Sequence, residues 1–81
     1  MSTNLHLNIV SPEKQLFDGE VSSVTLPGTL GVFTILPLHA PIVSSLDEGE
    51  IVYIANNKEC RLEIQGGFME LSNGIASVCV S

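Results

Sequence analysis

The sequence predicts an all-β fold of short strands, and three observations support this prediction. Turn signals recur along all 81 residues, the segments between them have strand length, and some of these segments alternate apolar and polar residues. Strands separated by turns about every 8–12 residues are typical of a sandwich or barrel. We expect about nine or ten strands in two packed sheets, within one domain over residues 1–81. The turn signals are Ser11-Pro12, Asp18-Gly19, Pro27-Gly28, Pro37, Pro41, Glu48-Gly49, Asn56-Asn57, Gly66-Gly67 and Asn73-Gly74.

Two kinds of strand are indicated by the residue pattern. "LHLNI" (residues 5–9) and "CRLEIQ" (residues 60–65) alternate apolar and polar residues, which predicts half-buried strands. "GVFTIL" (residues 31–36) and "EIVYIA" (residues 50–55) are apolar at successive positions, which predicts strands covered on both sides. The paired glycines of "QGGF" indicate a bulge or a close approach of the backbone.

The connections between strands are also indicated. Asn73-Gly74 separates two strand-like runs and predicts a hairpin with a type I′ turn. The segment Glu50–Gln65 is the longest without Gly or Pro, so we also considered a helix there. Asn56-Asn57 lies in its middle and its second half alternates, so we predict a hairpin that turns at "NNKE".

Composition excludes several classes of partner. Nine acids against three bases give a formal net charge of −6. Nucleic acids and anionic lipids bind cationic surfaces, so neither is an expected partner. A basic protein partner remains open, and the negative charge also keeps a small domain soluble.

An uncharged stretch runs from Val21 to Leu46, between Glu20 and Asp47. A membrane-spanning helix needs about 20 mostly apolar residues without a break. The prolines and glycines of this stretch cut it into pieces of strand length, which lipid does not tolerate. We therefore expect no transmembrane segment, and with no recognisable signal peptide the cytoplasm is the default compartment.

Candidate catalytic and metal-binding residues are few. His6, His39, Cys60 and Cys79 are ligand types that zinc accepts, but their spacings match no common zinc pattern. Both cysteines fall on apolar positions, which predicts two buried free thiols. No catalytic, cofactor-binding or metal-binding residue is therefore predicted, and a binding or structural module is favoured over an enzyme.

Five motifs occur in a fixed order: S-P-E-K, F-x-G-E-V, L-P-G, L-P-x-H-A-P and G-G-F. They lie in "LNIVSPEKQLFDGEV", "LPGTLGVFTILPLHAPIV" and "IQGGFMEL", with "LDEGEI" before the last. In this order and spacing, the chain resembles the epsilon subunit of the bacterial rotary ATP synthase, called delta in mitochondria. The resemblance extends from Leu5 to Val80.

The resemblance implies a flattened sandwich of two roughly five-stranded antiparallel sheets. In the family, this domain is a non-catalytic rotor subunit of a proton- or sodium-translocating ATP synthase. It links the gamma subunit to the membrane c-ring, at the cytoplasmic face of the inner (plasma) membrane, and needs no cofactor. A hairpin of two helices usually follows and can inhibit hydrolysis or bind ATP. Nothing after Ser81 could form it, so those roles are not expected here.

The resemblance also implies two contact regions. Turns broken by Pro and Gly belong at the surface, so Leu30, Val32 and Leu38 are expected to be exposed apolar groups, which often mark interfaces. Many relatives have an acid near Leu30 or Val32 and a Gly at Thr34 and Leu38, so we expect a more apolar contact here. The implied c-ring contact is Gly28, Thr29, Leu30, Gly31, Val32 and Phe33. The implied gamma contact is Ser11, Leu38, His39, Ala40, Pro41 and Ile42.

Two alternatives come from other classes of protein. A free-standing β-sandwich ligand-binding module would have a similar strand pattern, but such sites commonly use exposed Trp or Tyr, and the chain has only Tyr53. A biotinyl or lipoyl carrier would need its modified lysine at a hairpin tip. Lys58 is near one, but "NNKEC" lacks the flanking residues of such carriers.

Overall fold

The computed structural model describes residues 5–81, in which every regular element is a β-strand, as the turn spacing predicts. The strands are β1 (Leu5–Val10), β2 (Gln15–Val21), β3 (Ser23–Gly28), β4 (Gly31–Ile35), β5 (Ile42–Leu46), β6 (Gly49–Ala55), β7 (Lys58–Ile64), β8 (Gly67–Ser72) and β9 (Ile75–Val80).

The nine strands form one continuous sheet that folds over on itself. Hydrogen-bonded neighbours follow the order β2-β1-β9-β8-β5-β3-β6-β7, and β4 pairs with β3 outside this path. The fold line, where β5 pairs with β3, leaves a five-stranded half (β2, β1, β9, β8, β5) facing a four-stranded half (β7, β6, β3, β4). This confirms the predicted sandwich, with two differences in detail: the halves are joined, and one has four strands.

One pair of strands is parallel, whereas the prediction had only antiparallel sheets. β1 and β9 run in the same direction, with His6 opposite Ile75 and Val10 opposite Cys79. Parallel neighbours need a long connection. Here that connection is nearly the whole chain, because β1 and β9 are the first and last strands. Alternation of apolar and polar residues within one strand does not indicate which distant strand it pairs with, so the pairing of β1 with β9 could not be predicted from it.

The fold line is held by hydrogen bonds from β3 to both β5 and β6. Gly28 lies opposite Leu46 of β5, while residues 23–25 lie opposite residues 52–54 of β6. The amide of Asp47 donates to the carbonyl of Pro27 at 2.8 Å, and the amide of Thr29 donates to the carbonyl of Ser45 at 3.1 Å. The chain therefore passes from one half to the other while its backbone stays paired.

The core lies between the two halves and is aliphatic. Each fully buried Leu, Ile, Val or Met side chain contributes about 1.5–3 kcal/mol. The rings of Phe17 (β2) and Tyr53 (β6) pack with centroids 4.5 Å apart and close one side of the sandwich. The largest fully buried side chains are Leu5, Leu7, Ile9, Val24, Leu26, Ile35, Ile51, Met69 and Val78.

Local sequence signals predicted the hairpins correctly. Asn73 and Gly74 have φ angles of 53° and 76° between β8 and β9, which confirms the type I′ turn. Asn56 and Asn57 have φ angles of 54° and 62° between β6 and β7, which confirms a hairpin at "NNKE" and excludes the helix. β1 and β7 alternate in burial as predicted.

Two predictions of burial were wrong. β4 is not covered on both sides, since Val32 and Thr34 are exposed. β4 pairs only with β3 and therefore lies at an edge, where nothing in residues 5–81 covers its outer face. Cys79 is exposed and Cys60 is half-buried. On β9, the positions that face the core are Ala76, Val78 and Val80, so Cys79 points outward. β6 is closer to its prediction, with Ile51 buried and residues 52–55 half-buried.

The glycine pair at residues 66–67 confirms the predicted close approach of the backbone. A Cβ on Gly67 would collide with the carbonyl oxygen of Cys79 on the neighbouring strand β9. A Cβ on Gly66 would meet nothing closer than the carbonyl oxygen of Leu46, at an ordinary 3.5 Å. Only the second glycine is therefore required by packing.

We expect Gly67→Ala to destabilise the domain by about 1–3 kcal/mol, because β8 and β9 must separate to admit the methyl group. Gly66→Ala is the matched control and should change the free energy of unfolding by less than about 0.5 kcal/mol. Urea denaturation followed by circular dichroism measures both. Equal losses for the two variants would contradict the assignment.

Candidate interaction surfaces

The hairpin between β3 and β4 presents apolar side chains to solvent. Its two-residue turn is Thr29-Leu30. The Leu30 side chain is fully exposed, and Val32 is 73% exposed. Gly28 itself is buried, and a Cβ there would lie 2.7 Å from the ring of Phe33. Gly31 has a φ of 132°, which favours glycine. The two glycines thus shape the hairpin while Leu30 and Val32 form its surface, and their predicted exposure is confirmed.

The turn between β4 and β5 also exposes leucines. Leu36 and Leu38 project into solvent, which confirms the exposure predicted for Leu38. Leu38 has a φ of 72°, a conformation that is unfavourable for a bulky residue. The turn is held by the His39 amide, which donates to the Leu36 carbonyl at 3.2 Å, and by His39 Nδ1, which donates to the Ala40 carbonyl at 2.6 Å.

A groove of about 310 Å³ lies between the β3–β4 hairpin and the start of β5. It runs between β4 and β5, and Leu30, Val32 and Phe33 face Ile42 and Val43 across it. The predicted c-ring residues and the predicted gamma residue Ile42 therefore share one surface. A small-molecule site buries most of its ligand, whereas this groove is lined by exposed side chains and better fits a protein.

Val43 was missed by the sequence analysis although it is 62% exposed. The run "IVSSL" (residues 42–46) does not alternate apolar and polar residues, so the sequence carries no signal that Val43 faces solvent. Its odd positions, Val43 and Ser45, are exposed, whereas Leu46 is buried.

Ser11 lies far from the other predicted gamma residues. It follows β1 and Ile42 begins β5, with β9 and β8 between them. The hydroxyl of Ser11 accepts from the amides of Glu13 and Lys14 and donates to the Lys14 carbonyl, so it closes its own turn. The structure thus separates the predicted gamma contact into two corners of the five-stranded half.

His6 lies between two carboxylates on the outer face of this half. Its Nδ1 is 3.0 Å from Glu20 Oε2 and its Nε2 is 2.6 Å from Asp18 Oδ1. The hydrogen bond to Glu20, then that to Asp18, raises the pKa of His6 above its ordinary value of 6.5. All three side chains are exposed, so water and salt weaken the interaction.

We expect His6 to make stability depend on pH. A raised pKa in the folded state means that protonated His6 stabilises the fold fully below pH 6.5, and that this stabilisation is lost as pH rises through the raised pKa. Wild type should therefore exceed His6→Gln in unfolding free energy at pH 5.5, with the difference gone at pH 8.5. His39→Gln controls for loss of an imidazole. A His6→Gln difference that stays constant with pH would contradict the ion pair.

Sites for other chemistry are not evident in the described part of the chain. Residues 5–81 hold no cluster of three or more His, Cys, Asp or Glu side chains placed to bind a metal ion. Over the same residues, no helix has the length and apolar character needed to cross a membrane. A polar notch of about 170 Å³ beside Asn56 and Asn57 is too small for most organic ligands.

Comparison with known proteins identifies the fold as that of one family. The sequence model of the family described as "ATP synthase, Delta/Epsilon chain, beta-sandwich domain" matches residues 4–81. The chain belongs to this family. The resemblance carried by the five ordered motifs is thereby confirmed.

Curated relatives of the family match most of the chain. It is 46% identical over 72 residues to the ATP synthase epsilon chain of Maricaulis maris, covering 89% of this chain and 54% of that one. It is 41% identical over 71 residues to the ATP synthase epsilon chain of Chlorobium limicola, covering 86% of this chain and 81% of that one. The chain thus spans about half the length of the Maricaulis relative.

Solved structures share the same fold. A chain of the mitochondrial ATP synthase of Euglena gracilis superposes with a TM-score of 0.90 at 19% identity, over 99% of this chain and 52% of that one. A chain from the central stalk and c-ring of the Tetrahymena thermophila mitochondrial enzyme superposes with a TM-score of 0.78 at 17% identity, over 94% of this chain and 62% of that one. At such identities these likenesses show the fold alone.

Proposed function

We propose that this domain is a non-catalytic central-stalk subunit of a proton- or sodium-translocating ATP synthase. It joins the gamma subunit to the c-ring so that rotation couples ion flow to ATP synthesis. The observation that carries the proposal is the fully exposed Leu30 at the tip of the β3–β4 hairpin, in a chain of the epsilon family. A solvent-exposed aliphatic tip costs solubility and is useful where it enters a partner.

The architecture suits a coupling element. Torque transmission requires a stiff body with two adhesive surfaces, and a sandwich packed around an aliphatic core is stiff because its interior is close-packed. The β3–β4 hairpin supplies one surface, for the c-ring. Ser11 and the turn Leu38–Ile42 mark the other, for gamma. The groove between β4 and β5 makes the two surfaces adjacent.

The proposed location follows from the proposed partners. A domain that holds both gamma and the c-ring lies at the cytoplasmic face of the inner (plasma) membrane, as a peripheral part of the complex. The domain needs no cofactor for this role, because it transmits force between two proteins and breaks no bond.

A ligand-binding module is less well supported. Such sites commonly use exposed Trp or Tyr, yet Tyr53 is half-buried and packs on Phe17. A carrier would need its modified lysine at a hairpin tip. Lys58 instead lies directly after the Asn56-Asn57 turn, at the start of β7, where it pairs with Ala55.

We expect the double variant Leu30→Glu/Val32→Glu to fold normally and to bind the c-ring at least about tenfold more weakly, since two charges would have to be desolvated at the contact. Leu30→Thr/Val32→Thr is the neutral control and should lose less. Co-sedimentation with c-ring proteoliposomes measures binding, and circular dichroism monitors the fold. Unfolding of the Glu variant would show that these side chains are core, and unchanged binding would exclude the hairpin as the contact.

We also expect the isolated chain neither to hydrolyse ATP nor to bind it tightly, because the proposed role involves contacts with proteins only. Isothermal titration calorimetry and a phosphate-release assay check this. Phosphate release by the isolated chain would overturn the proposed non-catalytic role, and micromolar affinity for ATP would contradict a role that involves contacts with proteins only.

A further inference from the structure

Three strands of the described sheet have a hydrogen-bonded neighbour on one side only. β2 and β7 are the ends of the strand order, and β4 pairs with β3 alone. Such an edge presents unpaired N–H and C=O groups, and natural proteins usually protect it with charged side chains. β2 carries two acids and β7 carries four charged residues. β4 ("GVFTI") carries none, so it is the one edge strand in residues 5–81 without this protection.

The free edge of β4 presents the backbone groups of Val32 and Thr34. The carbonyl of Pro27, which lies opposite Val32 on β3, accepts from the amide of Asp47 on the far side of β3. Successive residues of a strand direct their backbone groups to opposite sides, so Pro27 and Val32 form a pair without hydrogen bonds. The hydroxyls of Thr25 and Thr34 lie 2.9 Å apart, a close approach typical of such a pair. Val32 and Thr34 therefore direct N–H and C=O away from β3.

This edge is complementary to itself. If two copies place Phe33 opposite Phe33 in antiparallel strands, Val32 of each copy lies opposite Thr34 of the other. Each of these pairs then exchanges both N–H···O=C bonds, so all the outward groups of the two residues are satisfied. A register centred on Thr34 would need the carbonyl of Leu36, which already accepts from the amide of His39 at 3.2 Å. The register centred on Phe33 uses only unpaired groups.

The side chains along this edge are neutral. Val32 is 73% exposed and Thr34 is also exposed, on the same face of β4. In the self-paired register they become cross-strand neighbours, and β-branched pairs of this kind stabilise a sheet. The charged residues nearest in sequence are Glu20 and Asp47, at the ends of the uncharged stretch. Pairing two copies therefore desolvates no charge of β4.

We propose that free chains pair through β4 to form a symmetric dimer, in which the four-stranded halves of two copies join into one continuous sheet. The partner is a second copy because its own edge supplies the complete register, and such a contact closes with two-fold symmetry. A single short strand buries little surface, so the dimer is weak. Each copy carries a formal net charge of −6, and the resulting repulsion, which salt screens, weakens it further.

The dimer concerns the free chain and does not depend on the proposed function. Val32 also belongs to the proposed c-ring contact, so if that contact is correct, pairing and assembly exclude each other. Pairing would then cover the exposed edge of the free chain until the c-ring replaces the second copy.

The first test measures self-association by sedimentation equilibrium over a range of protein and salt concentrations. Wild type should form dimers, more tightly at high salt. Val32→Lys adds the charge that natural edges use and should raise the dimer Kd at least about tenfold. Ile75→Lys is the matched control: Ile75 is exposed, but its strand β9 has a neighbour on each side. This variant makes the same change of charge and should change the Kd by less than about threefold.

The second test determines the register from amide hydrogen exchange, followed by NMR. The amides of Val32 and Thr34 should exchange at least about twofold more slowly at a concentration where most chains are dimeric, because only the monomer then exchanges. The amides on the charged edge of β7 are the control and should not slow. This test uses wild type alone, so it remains informative even if Val32→Lys were to unfold.

Three results would overturn the dimer. Wild type could stay monomeric at about 1 mM in high salt, the two lysine variants could weaken association equally, or exchange at Val32 and Thr34 could fail to slow in the dimer. The last two results would show that the copies associate through another surface. All three leave the proposed function intact, because none of the measurements involves gamma or the c-ring.

Discussion

The hydrogen-bonded fold line between β3 and the continuous β5–β6 segment is the constraint on which the rest of the structure depends. It lets a single sheet cover its own apolar face, so residues 5–81 bury a core without helices. Pro27 accepts from Asp47 at this line, and Gly49 is needed beside it because a Cβ there would lie 2.9 Å from Pro27 Cβ. The same line explains the uncharged stretch of residues 21–46. Its inward residues, among them Val24, fill the core, and its exposed apolar residues form the candidate interaction surfaces.

Local features of this fold could be predicted from the sequence, and long-range features could not. Asn73-Gly74 determines a turn through its own backbone preferences, so the hairpin followed from two residues. Alternation likewise indicates which residues of β1 share a face. The exposure of Val32 depends on whether another strand covers β4, and the parallel pairing of β1 with β9 depends on the path of the whole chain. Neither is encoded within the segment itself, so the apolar run of β4 wrongly predicted a strand covered on both sides, and the parallel pair was not predicted.

The same distinction applies to the candidate surfaces. Leu30 and Leu38 could be predicted as exposed because Pro and Gly place their segments in turns, and turns lie at the surface. Val43 and Phe68 lie within strands, where an apolar residue is usually core, so their exposure became evident only from the sheet register. Partners could be inferred only through family resemblance, because an apolar patch indicates that something binds and not what binds.

The two proposed surfaces differ in physical character, and the difference suits their places in a rotor. The β3–β4 hairpin is uncharged, so its contact depends on burying aliphatic area and is insensitive to salt screening. The proposed gamma contact ends at β5, where the carboxylate of Glu70 lies opposite Val43 and adds attraction and orientation at longer range. Other carboxylates are paired: Arg61 bonds Glu50 and Glu59 within the four-stranded half, and His6 bonds Asp18 and Glu20. Glu70 makes no ion pair among the described residues, and it lies opposite Val43 near the proposed gamma contact, where orientation must be fixed. In the proposed assembly the neutral tip would contact a ring of repeated subunits, where a charge would impose a preference among equivalent positions.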